Sequence, residues 1–144
     1  MSDIPDRVRQ AMDAVHNLHV LATVDADGQP HMRWMGAVVE DADQPWTFYL
    51  ACSKDSRKMA QLAANPNAQL LFTKQDTWEV ATLSGTAEEA DCPERRKLIW
   101  DAIPQLSNYY SGPDDPNMTL IKFKTRCLEL LAVQEGHEVY CLEL

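Results

Sequence analysis

The residues with the clearest chemical suggestion lie between Trp46 and Pro66. A strand-like run, Trp46 to Ala51, leads into Cys52-Ser53-Lys54-Asp55-Ser56-Arg57-Lys58, and a helical stretch follows up to Asn65-Pro66. Lys54, Arg57 and Lys58, with the hydroxyls of Ser53 and Ser56, crowd the start of that helix. Free N–H groups and the helix dipole favour an anion at such a place. Arginine and lysine add charge-assisted donors suited to phosphate. The same spacing also fits a solvated basic face on a surface helix. A second segment, His31-Met32-Arg33-Trp34-Met35-Gly36, sets a cation beside Trp and Met within a strand pattern. Arg33 is a candidate second phosphate ligand, and Trp34 and Met35 are candidates to lie along a flat ring. The bland reading is a surface arginine beside core residues.

These clusters stand out because the chain as a whole is acidic. Its formal net charge is −9, so a polyanion such as nucleic acid is repelled overall and is not an expected partner. Neither Ser53 nor Cys52 has a histidine placed by spacing to activate it as a nucleophile. The four histidines, His16, His19, His31 and His137, lack metal-ligand spacing. The four cysteines, Cys52, Cys92, Cys127 and Cys141, form no C-x-x-C pair and read as reduced thiols.

Elements to position these residues can be read along the chain. Ile4, Val8, Ala11, Met12 and Val15 form one apolar stripe at helical period, with Pro5 in the first turn. Leu18 to Val24 is strand-like, Asp25-Ala26-Asp27-Gly28 is a turn, and Gln29 to Val39 is the return strand. After a turn at Glu40 to Pro45 comes the strand Trp46 to Ala51. The helix Ser53 to Ala64 is expected to be capped by Ser53 and to face Met59, Leu62 and Ala63 inward. Ala68 to Thr73 and Trp78 to Ala87 form another strand pair, with Gly85 marking a bulge or close backbone approach. Pro93 to Ala102 is a helix whose apolar face is Leu98, Ile99 and Ala102. Ser107 to Asn117 is a loop, and strands follow at Thr119 to Lys124, Cys127 to Val133 and Glu138 to Leu142.

The length of 144 residues fits one domain, spanning residues 1–144, with a core of its own. The polar opening MSDIPDRVRQ has no signal-peptide core, and no apolar run of about 18 residues is present. A cytoplasmic protein without membrane attachment is expected. Antiparallel strands with short turns and a few helices point to the α+β class, a β-barrel with appended helices.

Taken in order, several pieces resemble the pyridoxamine 5′-phosphate oxidase-like family of FMN-binding split barrels, and its short general stress protein branch in particular. They are Ala22-Thr23-Val24-Asp25, Asp27-Gly28-Gln29-Pro30-His31, Arg33-Trp34-Met35, Phe48-Tyr49, Ser56-Arg57-Lys58, Asn65-Pro66, Ser84-Gly85 and Gly112-Pro113-Asp114-Asp115. The resemblance implies a six-stranded antiparallel split β-barrel that forms a homodimer, with FMN in clefts at the subunit interface. By the family pattern Arg33, Arg57 and Lys58 hold the phosphate. Arg33 to Met35 and Ala51, Cys52 and Ser53 line the flavin. In the related branch the region of Trp100, Tyr109 and Tyr110 packs near the partner's cleft; covering the flavin and plain core or interface packing are both open for these three. Trp46, Phe48, Trp78 and Trp100 also exceed what one small barrel readily buries, which favours a dimer.

The sequence departs from the authentic oxidase at three points. The strand starting at Arg33 has Val38 where the oxidase has Lys. Cys127 to Leu144 carries no Arg-x-His, and the expected glutamine before Gly85 is replaced by Glu79 or Val80. Efficient oxidation of pyridoxamine phosphate is therefore not expected. Two functions follow. One is a small FMN-dependent oxidoreductase exchanging electrons with NAD(P)H or another small reductant. The other is a non-enzymatic stress or binding protein for flavin or another phosphorylated ring, such as pyridoxal phosphate or a deazaflavin, with weak or no FMN binding.

Overall fold

The computed structural model describes residues 3–144. The apolar stripe near the start forms helix α1 (Ile4–Ala14), which buries Val8, Ala11 and Met12 and is capped by the Asp3 carboxylate accepting from the Asp6 N–H. Eight strands follow the alternating pattern of the sequence: β1 (His19–Val24), β2 (Pro30–Met35), β3 (Val39–Glu40), β4 (Thr47–Ser53), β5 (Asn67–Lys74), β6 (Glu79–Glu89), β7 (Met118–Ala132) and β8 (Glu138–Glu143). Helix α2 (Arg57–Ala64) joins β4 to β5. Helix α3 (Pro93–Ala102) and a 3-10 turn over Pro104–Asn108 join β6 to β7.

All pairings are antiparallel, in the order β2-β1-β5-β6-β7-β4-β3, with β8 also on β7. The two ends of this path, β2 and β3, are neighbours in sequence, separated only by Gly36-Ala37-Val38. So short a link forces the sheet to curl until its ends nearly meet. The α+β class and the split barrel with appended helices hold, but the sheet has eight strands, not six. The return strand expected over Gln29–Val39 breaks at Gly36 into β2 and β3. The two strands expected over Thr119–Val133 are one continuous β7, whose first half pairs β4 and second half β8.

The register between β6 and β7 shifts at Ser84/Gly85, the bulge expected there. A Cβ on Gly85 would overlap the Lys124 carbonyl oxygen, so this close approach admits only glycine. The barrel interior is filled by Leu21, Phe48, Leu50, Leu70, Phe72, Leu83, Phe123, Leu128 and others. A second cluster of Tyr49, Ile99, Ile103, Leu106, Met118 and Leu120 anchors α3 and the 3-10 turn on the outside of β4. Phe48 lies wholly inside, unlike the surplus aromatic group the sequence suggested.

Three further expectations are corrected. Ser53 does not cap α2: it is the last residue of β4, and the helix starts after Ser56. The strand carries on because β4 stays paired to β7 through Ser53↔Met118. Ala63 is exposed, and the helix buries Gln61 and Leu62 instead. Leu98 and Ala102 also face solvent, and α3 buries Ile99 and, against expectation, Arg96. No helix among the described residues is long and apolar enough to cross a membrane.

Candidate functional site

The barrel's split creates the site. β3 pairs β4 only at Val39↔Tyr49 and Glu40↔Phe48, so Leu50 to Ser53 have no strand beside them on that edge. β2 pairs only β1, so its far edge is also free. Between these two edges lies a cleft of about 370 Å³, within the size range of small-molecule pockets. Its lining includes Trp34, Met35, Ala51, Cys52, Ser53 and Lys58, six of the residues singled out in the sequence. Gly36 and Ala37 and the segment Ile103–Tyr110 supply the other wall.

Arg33 and Arg57 are not in this lining; Arg33 borders instead the depression on the outer sheet face, with Val20, Ala22, Met32 and Trp34. Arg33 leaves β2 toward α2 and donates to the Leu21 carbonyl (3.3 Å), the Thr23 hydroxyl (2.8 Å) and the Gln61 amide oxygen (2.8 Å). Burial, and secondarily the charge of Arg57, pushes its guanidinium below the ordinary arginine value. It is nonetheless a cation at any physiological pH. Arg57 and Lys58 occupy the first turn of α2, where the helix's free N–H groups lie. Among the described residues no ion pair involves Arg33, Arg57 or Lys58. Ser56 Oγ, at the N-cap position of α2, is buried with no hydrogen-bond partner. The start of α2 therefore carries two cations without an ion pair, Arg57 and Lys58, and Arg33 reaches the same helix from β2 through Gln61.

The remaining candidates divide. Trp34 is 70% exposed along the cleft, a free aromatic face, while Met35 packs partly against the core. Ser53 Oγ lies 2.9 Å from the Tyr110 hydroxyl, so it is engaged with the opposite wall. Cys52 is buried, and burial raises its thiol above the ordinary value, opposed by Lys58. It is therefore a neutral thiol and not a nucleophile. Lys54 lies away from the cleft, beside Met59, Pro66, Glu88 and Glu89. Tyr109 and Tyr110 both line the cleft of their own chain, whereas Trp100 packs into the second core cluster. His19 is a core residue: fully buried, its Nδ1 meets the Asn17 carbonyl oxygen and its ring lies against Phe72.

Sequence reasoning missed Thr23 and Gln61. Thr23 stood inside a strand pattern and Gln61 inside a helix. Their one signal was polarity at positions whose period faces the core.

The architecture defines a split-barrel protein with a cleft at its open seam. Comparison with known proteins agrees: residues 5–131 match the pyridoxamine 5′-phosphate oxidase family, and the chain belongs to it. It is 27% identical over 138 residues to general stress protein 26 of Bacillus subtilis, covering 92% of this chain and 91% of that one. In fold it resembles a pyridoxamine 5′-phosphate oxidase-related, FMN binding protein from Nostoc punctiforme, with TM-score 0.76, 14% identity, and 100% and 97% of the two chains covered. It also resembles a heme binding protein from Mycobacterium smegmatis, with TM-score 0.75, 16% identity, and 99% of this chain and 59% of that one covered.

Proposed function

We propose that this chain binds FMN in the cleft between β2 and β4, as a homodimeric redox flavoprotein of the general stress protein type. The observation that carries this reading is the set Arg33, Arg57 and Lys58, left without carboxylate partners in a chain of net charge −9. Arg57 and Lys58, with Arg33, would hold the phosphate. Trp34, Met35 and the Ala51–Ser53 edge would lie along the ring system. When bound, FMN would supply electron exchange with NAD(P)H or another small reductant, and the chain would orient and tune it. No acid, base or nucleophile stands out in the cleft lining, and the Cys52 thiol is held neutral.

Two features argue against an authentic pyridoxamine phosphate oxidase. Val38, where the oxidase pattern has Lys, is buried in the core at 4% exposure and presents nothing to a ligand. The segment after Arg126 forms the end of β7 and β8 and carries no Arg-x-His.

A second copy is the partner we propose. Met32, Trp34 and Leu71 are exposed around a 470 Å³ depression on the outer sheet face, where Val20 and Ala22 add apolar surface. An interface above about 2,000 Å² in total would cover it. Sedimentation at micromolar concentration should show a dimer, and a monomer contradicts the shared cleft.

Haem is the rival ligand, because its propionates would also meet these cations and a structural neighbour is a heme binding protein. The residues lining the cleft include no histidine, but Met35, Tyr109 and Tyr110 are of types that can bind haem iron, so haem is titrated beside FMN. The deciding experiment is fluorescence titration with FMN and with riboflavin, which lacks the phosphate. Each charge-assisted bond is worth about 1.5–3 kcal/mol, so Arg57→Ala or Lys58→Ala should weaken FMN about 10- to 150-fold and barely affect riboflavin. Lys54→Ala should leave both unchanged. Equal FMN binding by wild type and all three variants removes the phosphate site. A colourless preparation that ignores added FMN favours the non-enzymatic alternative.

A further inference from the structure

We infer that Gln61 and Thr23 are positioning residues that fix the Arg33 guanidinium while leaving its charge uncancelled. The inference rests on the reading of Arg33 as a cation facing the ligand's anion.

Four of the other six arginines meet carboxylates: Arg7 meets Glu79 and Glu135, Arg9 meets Glu40, Arg95 meets Asp41, and Arg96 meets Asp91. Arg57 and Arg126 have no ion pair among the described residues, and no side-chain hydrogen bond holds either of them there. Arg33 is bonded at three places, yet each acceptor is neutral: a backbone carbonyl, a hydroxyl and a side-chain amide. Hydrogen-bond chemistry fixes the direction of every link. A guanidinium has no acceptor, so Thr23 must accept from it, and the Thr23 proton then goes to Gln61 Oε1 at 2.6 Å. Gln61 Oε1 thus receives both Thr23 and Arg33, and the opposite amide orientation would set donor against donor. The three side chains close a ring that joins β1, β2 and α2.

The ring is buried where it must be rigid. Thr23 is fully buried and Gln61 is 8% exposed. Gln61 also sits four residues after Arg57 on α2, one turn along the same face. The residue that holds Arg33 is therefore carried by the helix whose first turn supplies the other two cations. A glutamate at 61 has the same length and the same acceptor oxygen, and would give Arg33 a full ion pair. Such a pair would hold the guanidinium at least as firmly, but would cancel the charge an anion needs. Glutamine gives the geometry without the cancellation.

Gln61→Glu separates the two effects. Without flavin, this variant should unfold at higher temperature than wild type, and the gain should vanish in the Arg33→Ala, Gln61→Glu double variant. With flavin, it should weaken FMN at least ten-fold and leave riboflavin unchanged. Thr23→Val, which removes two of the ring's three links and no charge, should weaken FMN several-fold, again sparing riboflavin. A folded Gln61→Glu protein that binds FMN as wild type does overturns the inference, as does a Gln61→Glu stability change independent of Arg33. If wild type binds no FMN, the proposed function falls. The Arg33-dependent stabilisation, read without any flavin, then still decides whether Gln61 holds an uncancelled charge.

Discussion

Arg96 and Arg33 are both tied down by several hydrogen bonds, and they differ in that only Arg96 has a carboxylate among its partners. Arg96 leaves α3 and is buried. It bonds the Asp91 carboxylate (2.5 Å) and the carbonyls of Pro113 (2.9 Å), Asp115 (3.0 Å) and Met118. Its charge is matched locally, and the loop from Ser111 to Asn117 is closed around it, with Asp115 in turn accepting from the backbone of Ser111 and Asn117. Arg33 has comparable geometric support and no carboxylate. A cation that serves packing is neutralised where it sits, whereas one meant for a ligand must be oriented by neutral groups.

The largest expected effect tests that division directly. Arg96→Ala strips donors from three carbonyls and leaves Asp91 without its cation. Hydrogen bonds to charged groups are worth about 1.5–3 kcal/mol each; Asp91 is 42% exposed and recovers solvation, so the loss falls mainly on the three carbonyls. Arg96→Ala should therefore lose at least about 3 kcal/mol in urea unfolding. Arg33→Ala should lose less than Arg96→Ala, since no carboxylate is left behind and Thr23 and Gln61 keep their mutual bond. A large stability loss at Arg33 with a small one at Arg96 breaks the comparison.

Acid acts by a smaller effect on the Arg96 region, together with the other lowered carboxylates, Asp25, Glu40, Asp41 and Glu135. Hydrogen bonding by Arg96 holds the Asp91 carboxyl below its ordinary value, and backbone N–H groups of Ser111 and Asn117 do the same for Asp115. Carboxylates lowered in the folded state contribute stability above their unfolded value of about 3.9, and that contribution is lost as pH falls through the lowered folded values. The ring around Arg33 contains no carboxylate and has nothing to lose there. His19 adds an earlier limb. Burial lowers its value in the folded protein, so from about pH 6.5 downward the unfolded chain takes up a proton that the folded chain refuses. Urea unfolding at pH 7, 5 and 3.5 should show two successive losses. His19→Phe, which keeps a ring against Phe72, should remove the first limb only. A flat profile between pH 7 and 5 in wild type contradicts the buried neutral imidazole.

What the sequence disclosed follows the same division. The stripe of α1, the Asp25–Gly28 hairpin, the glycine at the Gly85 bulge and the basic start of α2 at Arg57 and Lys58 were legible, because period, turn chemistry and charge are local. Where strands end was not legible. Ser53 looks like a helix cap until β7 is seen to pair with it, and Thr119–Val133 looks like two strands until β6 is seen to run along its whole length. The ring of Thr23, Arg33 and Gln61 was hidden for the same reason. Its members are 10 and 28 residues apart, and nothing near either end of those separations signals the contact. Arg96 misled in the opposite direction, since a charged residue on a short helix reads as solvent-facing until its carbonyl partners appear.

The smallest expected effect sharpens the comparison most, because it separates local charge from total charge. Lys97 pairs with Asp101 one turn along α3, at 3.5 Å, with 75% and 63% of the two side chains exposed. Exposed pairs of this kind are worth about 0.3–0.5 kcal/mol and are screened by salt. Lys97→Ala and Lys58→Ala each remove one positive charge, taking the net charge from −9 by the same single step. If the acidic surface as a whole governed FMN affinity, the two variants would weaken it alike. A phosphate held at the start of α2 senses Lys58 within bonding reach, while a charge on α3 acts through solvent, where interactions fade over a Debye length of about 8–10 Å. Lys97→Ala should accordingly leave FMN affinity within about two-fold of wild type at physiological salt and stability within about 0.5 kcal/mol. The check is a fluorescence titration of both variants at low and physiological salt. A loss at Lys97 that matches the loss at Lys58 at both salts would mean that affinity follows net charge, and the unpaired cations at the cleft would have no special standing.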